Sequence, residues 1–240
     1  MSARDPVPVA LIGLGRMGRA LEALAPDRGV SVVARLGAQA MARGVTAATL
    51  RGARVAIEFT RPEAAVANVR ACLMAGCPVV MGTTGWSEGA ARLEALVAEH
   101  GVPVLWSPNF SLGVQLFLAL VEEAGRRVRG VAGWDSHIVE THHAAKVDAP
   151  SGTARAVQER LAGSLGQPVP ISSVRVGAVP GTHELLLDGA FEQIRLVHEA
   201  RDRRVFADGA LQAARWLAAG RVPRLYTMRD LLPDLAGEGA

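Results

Sequence analysis

The chain has 240 residues, half of them hydrophobic and a fifth charged, with 26 basic against 23 acidic side chains. A chain of this length buries roughly 70–75% of its unfolded surface, enough for one large or two small domains without disulfides or a structural metal. No apolar run nears the roughly 20 residues of a membrane helix, and scattered basic residues with a net charge of +3 leave no footprint for nucleic acid.

Residues 1–6 run straight towards a strand-like segment and carry no secretory-signal pattern. The two cysteines, Cys72 and Cys77, fall in or just after one helix and make neither a disulfide framework nor a metal set. Both features point to the cytoplasm.

The first half alternates strands and helices. Residues 7–12 read as a short buried strand, followed by Gly13-Leu14-Gly15-Arg16-Met17-Gly18 and an amphipathic helix to about Leu24. Buried strands are expected at residues 30–34, 54–59, 78–81 and 102–106. Thr60-Arg61-Pro62-Glu63 reads as a capping box opening a helix that stops near Gly76, and a further helix is expected at 88–99. Continuous apolar strands alternating with helices indicate a doubly wound parallel sheet.

The pattern changes after Ser107-Pro108-Asn109-Phe110. A long helix at about 112–127 precedes a partly alternating strand at 136–142 and a helix opening near Ser151. Strands at 172–176, 183–187 and 193–198 follow, the last two joined by a hairpin-like turn at Asp188-Gly189-Ala190. The expectation is a second, α+β domain with a mainly antiparallel sheet. A final helix at 209–219 could pack on either domain.

Gly13-x-Gly15-x-x-Gly18 between a buried strand and a helix is the context a dinucleotide-binding loop requires. Gly13 allows the turn, Gly15 lets backbone approach a pyrophosphate, and Gly18 lets the helix pack against the strand. The helix N-terminus, with Arg16 and Met17 in its first turn, offers amides to phosphates. An NAD-specific loop places an acid at the end of the second strand. Here the sequence is Val33-Ala34-Arg35-Leu36, so Arg35 is the candidate for a 2′-phosphate and NADPH is favoured, or both cofactors are accepted. Gly82-Thr83-Thr84-Gly85 and Pro108-Asn109-Phe110 follow the fourth and fifth strands, at the carboxyl edge where such sheets bind ligands. They are candidates for the nicotinamide end.

Of the 26 basic residues, 25 are Arg and Lys146 alone is Lys. An ammonium can give up a proton at accessible cost and a guanidinium effectively cannot. Lys146 lies in Glu140-Thr141-His142-His143-Ala144-Ala145-Lys146-Val147-Asp148-Ala149-Pro150-Ser151-Gly152-Thr153. On an extended strand Glu140 and His142 share a face and His143 points away. His142 could donate a proton near neutral pH, and Lys146 could anchor an anion or act as an acid. Ser151, Gly152 and Thr153 offer donors at a helix N-terminus, a site for carboxylate. These features suit a small anion, with two carboxylates. Adjacent histidines on a strand are poor joint ligands, so no metal is expected. A Schiff-base lysine and a purely structural turn are the other readings of this segment.

The chain resembles the bacterial dihydrodipicolinate reductases (4-hydroxy-tetrahydrodipicolinate reductases). The resemblance rests on the Gly13–Gly18 loop continuing to Arg19, Glu58-Phe59-Thr60-Arg61-Pro62-Glu63, Gly82-Thr83-Thr84-Gly85 and Asn109-Phe110-Ser111-Leu112-Gly113. It rests further on Glu140–Thr153, His198-Glu199-Ala200, Arg203, Phe206–Ala210 and Tyr226–Asp230. It implies a Rossmann-type domain for NAD(P)H at residues 1–110 and 204–240, and a substrate-binding and tetramerisation domain at 111–203. The implied activity is reduction of a cyclic dicarboxylate in diaminopimelate and lysine biosynthesis. By matching position, His142 and Lys146 form the catalytic pair, with the choice of proton donor between them open. His143, Lys146, Ser151, Gly152 and Thr153 grip the carboxylates. The rivals are another amino-acid-related NAD(P) dehydrogenase and a nucleotide-sensing module without turnover.

Overall fold

In the computed structural model, residues 5–237 are described, with side chains to Asp234. Residues 1–4, part of the stretch read above for a leader pattern, lie outside them. The chain divides into two compact units: the residues up to Phe110 together with those from Arg204 onward, and Ser111–Arg203.

The first unit is a six-stranded parallel sheet. Its strands are β1 (Val7–Ile12), β2 (Val30–Leu36), β3 (Val55–Glu58), β4 (Val79–Met81), β5 (Val104–Trp106) and β10 (Leu225–Tyr226). They lie in the order β10-β5-β4-β3-β1-β2. The residues of β3 and β4 are buried throughout, as strands covered on both faces must be. The helices of this unit are α1 (Arg16–Leu24), α2 (Ala38–Ala42), α3 (Ala47–Leu50), α4 (Pro62–Met74), α5 (Ala90–His100), α8 (Arg204–Leu217) and α9 (Met228–Gly237). One apolar core joins Ala10, Ile12, Ala56, Val69, Leu73, Val79, Leu96 and Val104. From β1 the chain steps out to β2 and returns to β3 on the other side. The loops after β1 and β3 therefore meet at the point where strand order reverses, the site at which such sheets take ligands.

In the second unit the sheet order is β7-β6-β8-β9, from β6 (Asp135–His142), β7 (Ile171–Arg175), β8 (Thr182–Asp188) and β9 (Gln193–Glu199). β8 pairs antiparallel with β6 and with β9, while β7 runs parallel to β6. The parallel pair follows from connectivity: α7 (Gly152–Leu165) crosses over between β6 and β7. α7 and α6 (Leu112–Val128) cover one sheet face through Phe117, Val121, Val157, Leu161 and Leu165. A Cβ on Gly125 would lie 2.0 Å from Ser164 Oγ, so the glycine sets how closely the two helices approach.

Several elements differ from the sequence reading. β2 runs two residues further, to Leu36. The short helices α2 and α3, the edge strand β10 and helix α9 carry too few periodic residues to stand out. α8 begins at Arg204, a turn earlier than expected. The capping box at Thr60 does not form: α4 is capped at Arg61 with Pro62 in its first turn and no side-chain cap. The Thr60 hydroxyl goes instead to the buried carboxylate of Glu58. Both cysteines are free and buried, and enclosure pushes the Cys77 thiol up to about 11.

Candidate active site

Two regions carry the candidate residues, one in each unit. In the first, the Gly-rich loop passes from β1 into α1. A Cβ on Gly13 would lie 2.0 Å from the Phe59 carbonyl oxygen, and one on Gly18 would lie 2.1 Å from the Gly13 carbonyl oxygen. Gly13 also has a φ of 95°, a conformation open to glycine. Both glycines are therefore steric requirements of the turn. Gly15 differs: it is exposed and a Cβ there would meet nothing within 4 Å. The space over its backbone, at the N-terminal end of the nine-residue α1 with no acid in its first turn, is a cradle of the kind a pyrophosphate fills. The loop thus fits a dinucleotide. Arg16 is exposed and Met17 half-buried beside it.

Around that loop Glu58, the last residue of β3, is fully enclosed. It accepts from the Thr60 hydroxyl, from Asn68 Nδ2 at 3.3 Å and from the Thr83 hydroxyl at 2.7 Å. Thr83 Oγ1 in turn accepts from the Thr60 amide at 2.8 Å. One carboxylate thereby pins the loops after β3 and β4. Burial raises its pKa, and the hydroxyl and amide donors offset that only in part. Gly82 lets the Phe59 ring close over the β4 end, where a Cβ would lie 2.0 Å from it. Phe59 also stacks at a tilt on Phe110, 5.6 Å between ring centres. Phe110 is buried, so its part in this edge is packing; Thr84 and Pro108 are exposed and Asn109 is half-buried.

Arg35 lies inside β2, not beyond its end, and its guanidinium pairs with Glu22 of α1 at 2.7 Å. The residue that follows the strand is Gly37. The candidate 2′-phosphate ligand is thus already engaged by an acid.

The second region forms on the core face of the smaller sheet. Strand registry aligns Ile171, Ile138, Leu185 and Leu196 across the four strands, and two residues further along it aligns Ser173, Glu140, His183 and His198. One more step brings Arg175 beside His142. The same face thus changes from apolar to ionisable at one end, because side chains two residues apart share a face.

Glu140, fully enclosed, accepts from His142 Nδ1 and from Arg175 Nη2, the latter at 2.7 Å. Burial alone would raise its pKa, but bonds from Arg175, Ser173 and His142 together bring it down to about 2. An ionised carboxylate only accepts, so His142 carries its proton on Nδ1 and presents Nε2 outward. Burial lowers the His142 pKa, opposed by Glu140. Gly181 leaves the space at Nε2 open: a Cβ there would lie 3.0 Å from that atom. His183 meets the His142 ring edge-on at 5.2 Å, and burial with repulsion from His142 and His198 lowers it to about 4.

Lys146 Nζ donates to Asp148 Oδ1 at 2.7 Å in the loop after β6. Ser151 caps α7, accepting from the Ala154 amide at 3.1 Å, and its hydroxyl also lies 3.2 Å from His183 Nε2. Ser151 is thus occupied by helix and histidine, and Gly152 and Thr153 form the first turn of α7. His143 is half-buried in the turn that follows β6. Among the described residues, the group with metal-ligand character is Glu140, His142 and His183. Both oxygens of Glu140 there already accept from Arg175 and His142.

Sequence reasoning missed Arg175, His183 and the inward role of His198. A signal existed for the two histidines: each sits at the inward parity of a strand whose other inward residues are apolar, as His183 does before Leu185 and Leu187.

Comparison with known proteins settles the family. Residues 7–110 match "Dihydrodipicolinate reductase, N-terminus" and residues 113–232 match "Dihydrodipicolinate reductase, C-terminus". The chain belongs to the dihydrodipicolinate reductase family. The 4-hydroxy-tetrahydrodipicolinate reductase of Thiobacillus denitrificans is 41% identical, over 94% of this chain and 98% of its own length. That of Xanthomonas campestris is also 41% identical, over 95% and 98%. The dipicolinate-bound dihydrodipicolinate reductase of Paenisporosarcina sp. TG-14 shares the fold, with a TM-score of 0.75, 21% identity, and 92% and 97% of the two chains covered. The fold is that of a nicotinamide-dependent oxidoreductase of this family.

Proposed function

We propose that this chain reduces 4-hydroxy-tetrahydrodipicolinate to tetrahydrodipicolinate with a hydride from NAD(P)H and a proton, the 4-hydroxyl leaving as water, in diaminopimelate and lysine biosynthesis. The observation that carries it is the cluster Glu140–His142–Arg175 beside Lys146 and the N-terminus of α7, in a chain of this family. The Gly13–Gly18 loop would hold the dinucleotide, which would supply hydride for reduction of the substrate ring.

The chain's own residues bind and neutralise. A dicarboxylate meets the Gly152 and Thr153 amides, His143 and the Lys146 ammonium, and Ser151 holds the helix end that presents those amides. Asp148 holds the Lys146 side chain in place until an anion competes for it. Hydride addition builds negative charge in the ring, which a cation at His142 Nε2 or Lys146 Nζ offsets. The orientation of His142 is fixed from behind by Glu140 through Nδ1–H, so Nε2 is the atom that takes up a proton and gives it from the imidazolium form. His142 and Lys146 are the catalytic pair.

For the cofactor, the favoured partner is NADPH with NADH also accepted. The support is Gly37 at the end of β2, where no carboxylate repels a 2′-phosphate. Arg35 contributes less, being paired with Glu22.

The protein works as a homotetramer built through the smaller sheet. Its outer face carries Val139, Val174, Leu186 and Val197 with the Glu184–Arg195 pair, and no helix of that unit covers it. Val174 and Val197 are 41% and 56% exposed. The cytoplasm suits the two buried free thiols, and no helix among the described residues is long and apolar enough to cross a membrane.

A coupled assay tests the reaction. Substrate is made in place from pyruvate and aspartate semialdehyde by a synthase, and NADPH and NADH loss is followed separately. Substrate-dependent oxidation is expected with both. Folded protein that binds nucleotide but oxidises neither would overturn the assignment.

A further inference from the structure

His142 and Lys146 stand on different kinds of backbone. His142 ends strand β6, where sheet hydrogen bonds fix its main chain, and Lys146 sits four residues on in a loop. A catalytic pair needs both groups held in one frame to within a fraction of an ångström. One side chain touches both halves.

Arg175 ends β7 next to His142 in the parallel register. Its Nη2 donates to Glu140 Oε1 at 2.7 Å and to the Asp148 carbonyl oxygen at 2.6 Å. Its Nη1 donates to the Val174 carbonyl oxygen at 2.7 Å, which fixes the guanidinium to its own strand. Through Glu140 the guanidinium reaches His142, and through Asp148 it reaches Lys146, whose ammonium lies on the Asp148 carboxylate.

We propose that Arg175 and Glu140 are positioning residues that lock the catalytic histidine and the lysine-bearing loop into one frame, with a single guanidinium nitrogen bridging the two. This rests on the reductase reading above. Glu140 sets the His142 tautomer and ring orientation. Arg175 keeps Glu140 ionised and clamps the loop at Asp148. Neither touches substrate; both act through His142 and Lys146.

The groups facing His142 are Glu140 from β6, Arg175 from β7, His183 from β8 and Lys146 from the loop. Of these only Glu140 favours its charged form, since the other three are cationic or compete for charge. Loss of the Glu140 charge therefore makes His142 harder to protonate.

The test pairs steady-state kinetics with NMR of histidine ring nitrogens. In the wild type, neutral His142 is expected wholly as the Nδ1–H tautomer. Glu140→Gln is expected to lower kcat about tenfold or more, leave KM within about twofold, shift the histidine limb of the kcat profile to lower pH and mix the tautomers. Arg175→Met is expected to lower kcat and raise KM about fivefold or more, because the loop is freed as well. Arg175→Lys keeps the charge beside Glu140 without the two-oxygen bridge. It is expected to restore the tautomer and not KM, and it replaces the Met variant if that one does not fold. An Arg175→Met enzyme with raised KM but unchanged kcat and His142 tautomer would overturn the proposal, leaving the guanidinium a loop tether. So would a Glu140→Gln enzyme with an unmoved pH limb. A wild-type protein without turnover would defeat the reductase reading alone, because the tautomer measurements still decide the positioning role.

Discussion

Two enclosed glutamates, one in each unit, answer the same problem differently. Glu58 ends β3 and Glu140 lies near the end of β6, and neither has any exposed surface. Glu58 is surrounded by the neutral donors Thr60, Thr83 and Asn68, and its pKa rises. Glu140 meets Arg175 and His142, and its pKa falls to about 2. Three neutral hydrogen bonds orient a carboxylate but do not replace the hydration that it loses; a guanidinium at 2.7 Å does. The first arrangement shapes two loops beside a nucleotide cradle. The second holds a charge ready to act on a histidine. The difference separates a carboxylate held by neutral donors from one held by cationic partners.

The largest effects are expected where the charged arrangement serves the reaction. His142→Gln should lower turnover about 10²–10⁴-fold, the range for a lost proton donor. Lys146→Arg keeps charge and loses the compact ammonium, and should cost about 10²-fold. Nucleotide affinity, measured by titration, should stay unchanged in both, since the cradle belongs to the other unit. A matching loss of nucleotide affinity would break the division of labour between the two glutamates.

Stability tests the neutral arrangement. Glu58→Ala strands several buried donors and should cost about 3 kcal/mol, while Glu58→Gln keeps an acceptor and should cost about 1 kcal/mol. A raised pKa means that the native state holds the proton more tightly than the unfolded chain. Glu58 therefore contributes stability that is fully present below its ordinary value near 4.5 and is lost as pH rises through the raised value. Thermal melts across that range should show a slope for the wild type that Glu58→Gln removes. An identical slope in the variant would mean that Glu58 binds its proton equally in both states, and a wild-type slope of the opposite sign would mean an ionised carboxylate like Glu140.

His183 gives the opposite sign. Its pKa falls from 6.5 to about 4, chiefly because it is buried and beside two other histidines. The unfolded chain then binds the extra proton, so this contribution is full above about 6.5 and is lost as pH falls through about 4. His183→Phe should flatten the melting curve over that window by about 2 kcal/mol, at the cost of the Ser151 contact.

How far the sequence carries these contrasts depends on distance along the chain. The Gly13–Gly18 loop and the Glu140–Thr153 segment were legible because their chemistry is local: turn, strand parity and helix N-terminus all act within a few residues. The apolar strands of the parallel sheet were legible by their continuity. Arg175 and His183 were not, because they lie 35 and 43 residues along the chain from Glu140 and meet it only through sheet registry that no local pattern encodes. Thr60 misled for a different reason, a competing partner two residues away. Its spacing to Glu63 is that of a cap, and the buried Glu58 carboxylate outcompetes the helix amide for its hydroxyl.

The smallest effect is expected where a carboxylate is missing. Glu58 closes β3, but Gly37 follows β2 with no acid to meet a ribose. Arg35, which the bare sequence offers as a 2′-phosphate ligand, lies one residue inside the strand end and is held by Glu22, both side chains close to half exposed. An exposed pair of this kind is worth only about 0–1 kcal/mol, and its guanidinium gains little by exchanging one anion for another. Arg35→Ala should therefore change KM for NADPH less than about threefold and leave NADH unaffected. Gly37→Asp supplies the absent acid. Its Cβ has room, with Leu14 Cδ1 at 3.6 Å. It should weaken NADPH about tenfold relative to NADH, by like charge against the 2′-phosphate. A large NADPH-specific loss in Arg35→Ala would return selectivity to the guanidinium, and would mean that the Glu22 pair opens when the cofactor binds.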